Sequence, residues 1–210
     1  MNRKETILQL RQETGVGVMQ CSQILEQSGQ NFEQALSMLR EIAAAKAIKQ
    51  NGREAQEGKI ELYAHNNGRI GVMVEINTET EFASRSTVFL DFAHEIALQI
   101  AASTPLYVSE ADIPAQVLDE LVSETTTKAR LAGKPQPVID KIVSGVVEKY
   151  KKEKVLLDQS FIRDETLNIE QLLKQKIGQI GENIIIRRFE RWEIIPDSDT
   201  NPSVPSNINL

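Results

Sequence analysis

The chain has 210 residues, 40% of them apolar, and a formal net charge of −6. That length suits one medium domain with a small appendage, or two domains, and the acidic balance excludes a general phosphate-backbone binder, whose affinity rests on Lys and Arg. No apolar run approaches the roughly 20 residues of a membrane-spanning helix, and the single cysteine, Cys21, allows no internal disulfide, so a protein partner in a reducing compartment is expected, with no membrane and no direct nucleic-acid contact.

Met1 to Glu5 run straight into polar residues, without the apolar core of a signal peptide. Asn2 and Glu5 have capping-box spacing and open a first helix through Ile7, Leu10 and Arg11. Gly15 and Gly17 suit a tight interhelical turn; they are no phosphate loop, because the Lys-Ser/Thr that should follow is missing. A second helix carries Met19, Cys21, Ile24 and Leu25 and stops at Ser28-Gly29, and a third carries Phe32, Ala35, Leu36, Leu39, Ile42 and Ala43. Cys21 reads as a small buried apolar residue rather than a nucleophile, and with both histidines distant from it no metal or cofactor is expected. From residue 44 the chain turns polar, which predicts the end of the third helix and a linker broken at Asn51-Gly52.

A β-hairpin follows: Ile60, Leu62 and Ala64 alternate, Asn67-Gly68 signals the turn, and Ile70, Val72, Val74 and Ile76 form the buried face of the return strand. His65 reads as an edge residue. The hairpin leads into Asn77-Thr78-Glu79-Thr80-Glu81-Phe82 and then a helix over 86–103 with Val88, Phe89, Phe92, Ala93, Ile96, Ala97 and Ile100 on one face. Two carboxylates and an aromatic ring thus stand together between strand and helix. Phe82 either folds back as a staple on the helix start, with Glu81 completing a capping box from Thr78, or is presented outward. Two more helices follow, faced by Val117, Leu118, Leu121 and Val122 and by Val138 to Tyr150, and separated at Gly133-Lys134-Pro135. The basic run from Lys149 to Lys154 reads as a solvated helix end. After a short apolar segment, Leu156 to Phe161, a helix through Leu172, Leu173, Ile177 and Ile180 ends near Gly181, and 182–194 read as a final strand placed centrally in the sheet. From Pro196 a disordered tail is expected. The class is α+β: three N-terminal helices, then a small antiparallel sheet packed with helices.

Three blocks in this order resemble translation elongation factor Ts, the family of guanine-nucleotide exchange factors for elongation factor Tu: Leu10 to Cys21, Asn66 to Arg85, and Ile180 to Phe189. Ala132 to Pro135 and Leu156 to Phe161 fall in the right order between them, so the similarity runs from about residue 5 to about residue 195. The resemblance implies a ubiquitin-associated-like module with its linker over 1–53, an α+β exchange and dimerisation body over 54–195, a tail over 196–210, and a cytoplasmic protein, or a stromal one if plastid-encoded. The length is read as the short form, without the coiled-coil insertion of longer members and able to form a homodimer. By the same resemblance Thr80, Glu81, Phe82 and Ala83 would enter the partner beside its nucleotide, Phe82 as a wedge and Glu81 against the Mg²⁺ environment. Arg11, Thr14, Gly15, Gly17, Val18 and Met19 would bind the partner, and the protein would carry out no covalent chemistry.

The chain departs from the family pattern at two places. Thr80-Glu81-Phe82-Ala83-Ser84-Arg85 stands for Thr-Asp-Phe-Val-Ala-Arg, and Val18-Met19-Gln20-Cys21-Ser22-Gln23-Ile24-Leu25 for Met-Met-Asp-Cys-Lys-Lys-Ala-Leu. These changes leave room for a binding protein of the same fold with weak exchange. A hydrolase or transferase using Glu79 and Glu81 as acid and base is a further alternative, unsupported by any nucleophile or metal cluster.

Overall fold

The computed structural model describes residues 2–50 and 52–194; Asn51 of the expected break and the tail expected from Pro196 lie outside them. Helix α1 (Arg3–Thr14) starts at the Asn2 capping box and stops at Gly15, whose φ of 69° closes the last turn. Helices α2 (Val18–Gln27) and α3 (Phe32–Gln50) complete the N-terminal unit. Its core is Leu10, Val16, Cys21, Ile24, Leu25, Ala35, Leu36, Leu39 and Ala43. Helix α3 runs through the polar stretch from residue 44 to Gln50, directly before the expected break, and its second half lies along a helix of the body. There Lys46 Nζ and Gln50 Nε2 donate to the carbonyls of Gly178 and Gly181.

Strands β1 (Glu57–His65) and β2 (Ile70–Thr78) form the predicted hairpin. Its turn is centred one residue earlier than expected: Asn66 and Asn67 take φ of 56° and 57°, and the Gly68 N–H donates to the His65 carbonyl. Two asparagines tolerate the left-handed region well enough to hold the central places. After α4 (Glu81–Ser84) comes α5 (Thr87–Ser103), capped by Ser86, and its stripe of Phe89, Phe92, Ala93, Ile96, Ala97 and Ile100 packs on Val72, Val74 and Ile76 of β2. Periods of two and of three-to-four residues therefore meet in one core, as the sequence pattern predicted. Gln99 was not foreseen there. Wholly buried, it donates to Gln159 Oε1 and the Ser160 carbonyl and accepts from the Ile162 N–H, pinning α5 to the later chain.

Helices α6 (Ala115–Leu131) and α7 (Gln136–Lys154) pair as a hairpin through a turn in which Gly133 has φ of 67°. Both helices and the break between them at Gly133-Lys134-Pro135 stand where the apolar pattern placed them. Among its residues only Ala129 and Ile139 are buried, so the pair is supported chiefly by its own seam and by its base. At the base, the Leu106 and Leu156 N–H groups donate to the Lys154 and Tyr107 carbonyls, and Lys151 pairs with Glu110. Strands β3 (Ser160–Phe161) and β4 (Asp164–Asn168) form a small ribbon that the sequence pattern did not reveal. Helix α8 (Ile169–Ile180) follows, capped by Asn168 and closed by Gly181, and leads into β5 (Ile184–Glu193).

The main sheet is antiparallel in the order β1-β2-β5. Strand β2 is central, and β5 is an edge, against expectation. Its apolar start, Ile184 and Ile186, enters the core, but Arg188, Glu190, Arg191 and Glu193 follow, and charges of this kind suit an unpaired edge. The register also decides what β1 does with its alternating apolar residues. Residues directly opposite in an antiparallel pair share a face, and Leu62 stands opposite Met73 while Ile60 stands opposite Glu75, on the side away from α5. Ile60, Leu62, Met73 and Trp192 therefore form an exposed apolar row on the outer face of the sheet.

Candidate functional site

The most exposed aromatic of the chain sits where strand hands over to helix. Strand β2 ends at the wholly buried Thr78, and Thr80 then caps the four-residue α4, its Oγ1 accepting from the Ala83 N–H at 3.2 Å. Ala83 and Ser84 are buried beneath this short helix, and Ser84 and Ser86 hydroxyls donate to the Glu81 and Ala83 carbonyls. With the helix anchored by these two, Glu81 and Phe82 are left outside. Phe82 is 88% exposed. It is not a staple, and the cap is Thr80 rather than Thr78. Exposing a ring of this size forgoes roughly 1.5–3 kcal/mol of burial, a stabilisation that becomes available on docking.

The two carboxylates that could have been an acid–base pair are separately engaged. Glu81 forms an ion pair with Arg85 one turn on. Glu79 accepts from the Asn183 N–H at 2.7 Å and lies 3.6 Å from the Arg53 guanidinium. Each carboxylate is thus tied to partners of its own, Glu79 to Asn183 and Arg53 and Glu81 to Arg85, and no shared contact supports the acid–base pair. Among the described residues no group of three or more His, Cys, Asp or Glu is arranged to hold a metal.

Behind the loop stands a residue that sequence reasoning passed over. The Glu182 carboxylate accepts from the Thr80 N–H at 3.0 Å, the Thr80 hydroxyl at 2.8 Å and the Thr78 hydroxyl at 3.2 Å. Its neighbour Asn183 is buried, and the Asn183 Nδ2 donates to the Arg53 carbonyl at 2.8 Å. The signal in the sequence was a polar pair between a helix-closing glycine and an apolar strand, a place where buried polar groups need partners.

The N-terminal candidates divide by exposure. Thr14, expected at the partner surface, is wholly buried, its hydroxyl donating to the Leu10 carbonyl at 2.6 Å. Gly15 faces the chain's own α8: a Cβ there would lie 2.2 Å from the Gln179 Cα. Thr14 thus shapes the turn from within the module, and Gly15 lets it approach the body closely. Arg11 and Gly17 are exposed, as are Val18 at 42% and Met19 at 87%, in the first turn of α2. Cys21 is buried, its thiol donating to the Val16 carbonyl, and burial pushes the thiol pKa up, so it is a packing residue and not a nucleophile. Two of the sequence-predicted sites thus present apolar side chains outward: Phe82 beside Glu81, and Val18 with Met19.

A family model described as elongation factor TS matches residues 16–177. The chain belongs to the elongation factor Ts family. The elongation factor Ts of Coprothermobacter proteolyticus is 44% identical over 188 residues, covering 90% of this chain and 95% of that protein. That of Caldanaerobacter subterraneus subsp. tengcongensis is 44% identical over 189 residues, with 90% and 94% covered. That of Carboxydothermus hydrogenoformans is 43% identical over 194 residues, with 92% and 89% covered. Membership makes the chain a translation elongation factor, and its α+β body with three N-terminal helices fits that family. Among the described residues no helix is long and apolar enough to cross a membrane.

Proposed function

We propose that the protein binds elongation factor Tu and promotes release of its GDP. The observation that carries this reading is Phe82, exposed at 88% on a four-residue helix anchored from beneath, with Glu81 beside it. The ring enters the GTPase next to the nucleotide as a wedge, and its burial there offsets the distortion it imposes. Glu81 perturbs the surroundings of the nucleotide-bound Mg²⁺. That ion demands near-ideal octahedral geometry, so small displacements of its ligands weaken nucleotide binding. The ion pair in which Arg85 donates to Glu81 is exposed on both sides and therefore weak, leaving the carboxylate free to change partners on docking. No bond to substrate is made or broken by the protein itself.

Residues 1–53 serve as the docking module through Arg11, Gly17, Val18 and Met19, with Thr14 and Gly15 shaping that surface, and residues 54–195 serve as the exchange body. The test is release of fluorescent GDP from elongation factor Tu, chased with unlabelled nucleotide. The full-length protein should accelerate release by well over tenfold, a barrier change of more than about 1.4 kcal/mol. Tight binding without acceleration would leave the same-fold binding protein as the correct reading.

The outer face of the sheet supports self-association as well. Ile60, Leu62, Met73 and Trp192 form one apolar row open to solvent, and a two-fold partner can cover such a row with its own copy. Light scattering at micromolar concentration should give twice the chain mass, and a monomer at all accessible concentrations would exclude the dimer.

A further inference from the structure

We infer that Glu182 is the positioning residue for the exchange loop: it holds Thr78 to Thr80 so that Phe82 is presented and not collapsed. The inference rests on the exchange reading above and adds a residue to it. A helix of four residues has no stability of its own, since isolated helices shorter than about 12–15 residues are marginal in water. Whether α4 forms, and where Phe82 points, is therefore decided by what grips the loop. An exposed aromatic ring left on a loose loop also gains by folding onto the nearest apolar surface. Beneath α4 the grip comes from Ala83 and Ser84. On the strand side it comes from Glu182.

The chemistry of the grip requires a carboxylate. The loop aims three donors at one place, the Thr80 N–H, the Thr80 hydroxyl and the Thr78 hydroxyl, and Glu182 takes all three on two oxygens. Only an acceptor-only group satisfies three donors without bringing a donor of its own, and bonds to an ionised acceptor are roughly twice as strong as neutral ones. The Thr80 hydroxyl relays the hold, because it donates to Glu182 while accepting from the Ala83 N–H inside α4. Glu182 is itself held in place. Its neighbour Asn183 is 2% exposed and binds Glu79 through its N–H and the Arg53 carbonyl through its amide.

Glu182→Gln in the full-length protein is the test, since it keeps the shape and replaces one acceptor oxygen by a donor. The maximal rate of GDP release from elongation factor Tu should fall about tenfold, while the concentration giving half-maximal release changes less than about twofold. The loss should be absent when Phe82→Ala is already present, because two residues acting through one element are not additive. In the free protein, amide hydrogen exchange at residues 79–83 should speed up about tenfold in Glu182→Gln, with core strand β2 unchanged. A normal maximal rate overturns the proposal, and so does a loss that simply adds to that of Phe82→Ala, or unaltered amide exchange in the loop. If the wild-type protein fails to release GDP, the exchange reading falls instead, and amide exchange still decides whether Glu182 holds the loop.

Discussion

Replacing Phe82 by alanine should leave the melting temperature of this protein nearly unchanged and cut the GDP-release activity proposed for it by roughly thirtyfold. The first half follows from exposure. At 88% exposed, the ring makes little contact within the chain, and surface substitutions of that kind stay within about 0.5 kcal/mol. The second half follows from the role proposed for the ring. Truncating an aromatic anchor in an interface costs about 2 kcal/mol or more, and ~1.4 kcal/mol is a factor of ten. Linkage supplies a second readout. Whatever factor the protein uses to weaken GDP binding, GDP must use to weaken the protein's affinity for the GTPase. The affinities of Phe82→Ala for GDP-loaded and nucleotide-free elongation factor Tu should therefore converge. A variant with wild-type melting and wild-type discrimination between those two states would remove Phe82 from the mechanism.

Phe92→Ala should do the opposite. Phe92 is wholly buried between α5 and the sheet, in a core it shares with Val74, Ile76, Phe89 and Ile96. Truncation of a buried phenylalanine costs about 3–5 kcal/mol through lost burial and the cavity left behind. For a chain of this size each kcal/mol lowers the midpoint by about 2–4 °C, so thermal unfolding should shift down by roughly 10 °C. Well below that midpoint the variant should release GDP at close to the wild-type rate, because Phe92 does not reach the exposed loop. A shift of less than about 3 °C would mean that α5 and β2 do not share the load-carrying core. The two phenylalanines stand ten positions apart, and the paired variants should separate stability from exchange.

Local pattern was enough to determine most of the elements and the family. The Asn2 capping box, the Gly15 stop, the apolar stripe of α5 and the alternation of β2 are each read from residues within a few positions of one another, because caps and periodicities are local properties. The ordered blocks around Leu10, Asn66 and Ile180 likewise pointed to elongation factor Ts before any fold was seen. What the pattern left open were questions about the other side of each element. Whether Phe82 was a staple or a presented ring depended on whether any apolar surface faced it, and none does at 88% exposure. The apolar alternation of β1 said that one face was greasy, but only the register against β2 decided that this face is the outer one. The extension of α3 to Gln50, the edge position of β5, and the close approach of Gly15 to α8 all depend on residues more than a hundred positions away. The same holds for Glu182, whose three donors come from residues 78 and 80. Sequence proximity determined which segments were helix or strand. Contacts between distant segments decided which faces are buried, and so which side chains are left to meet a partner.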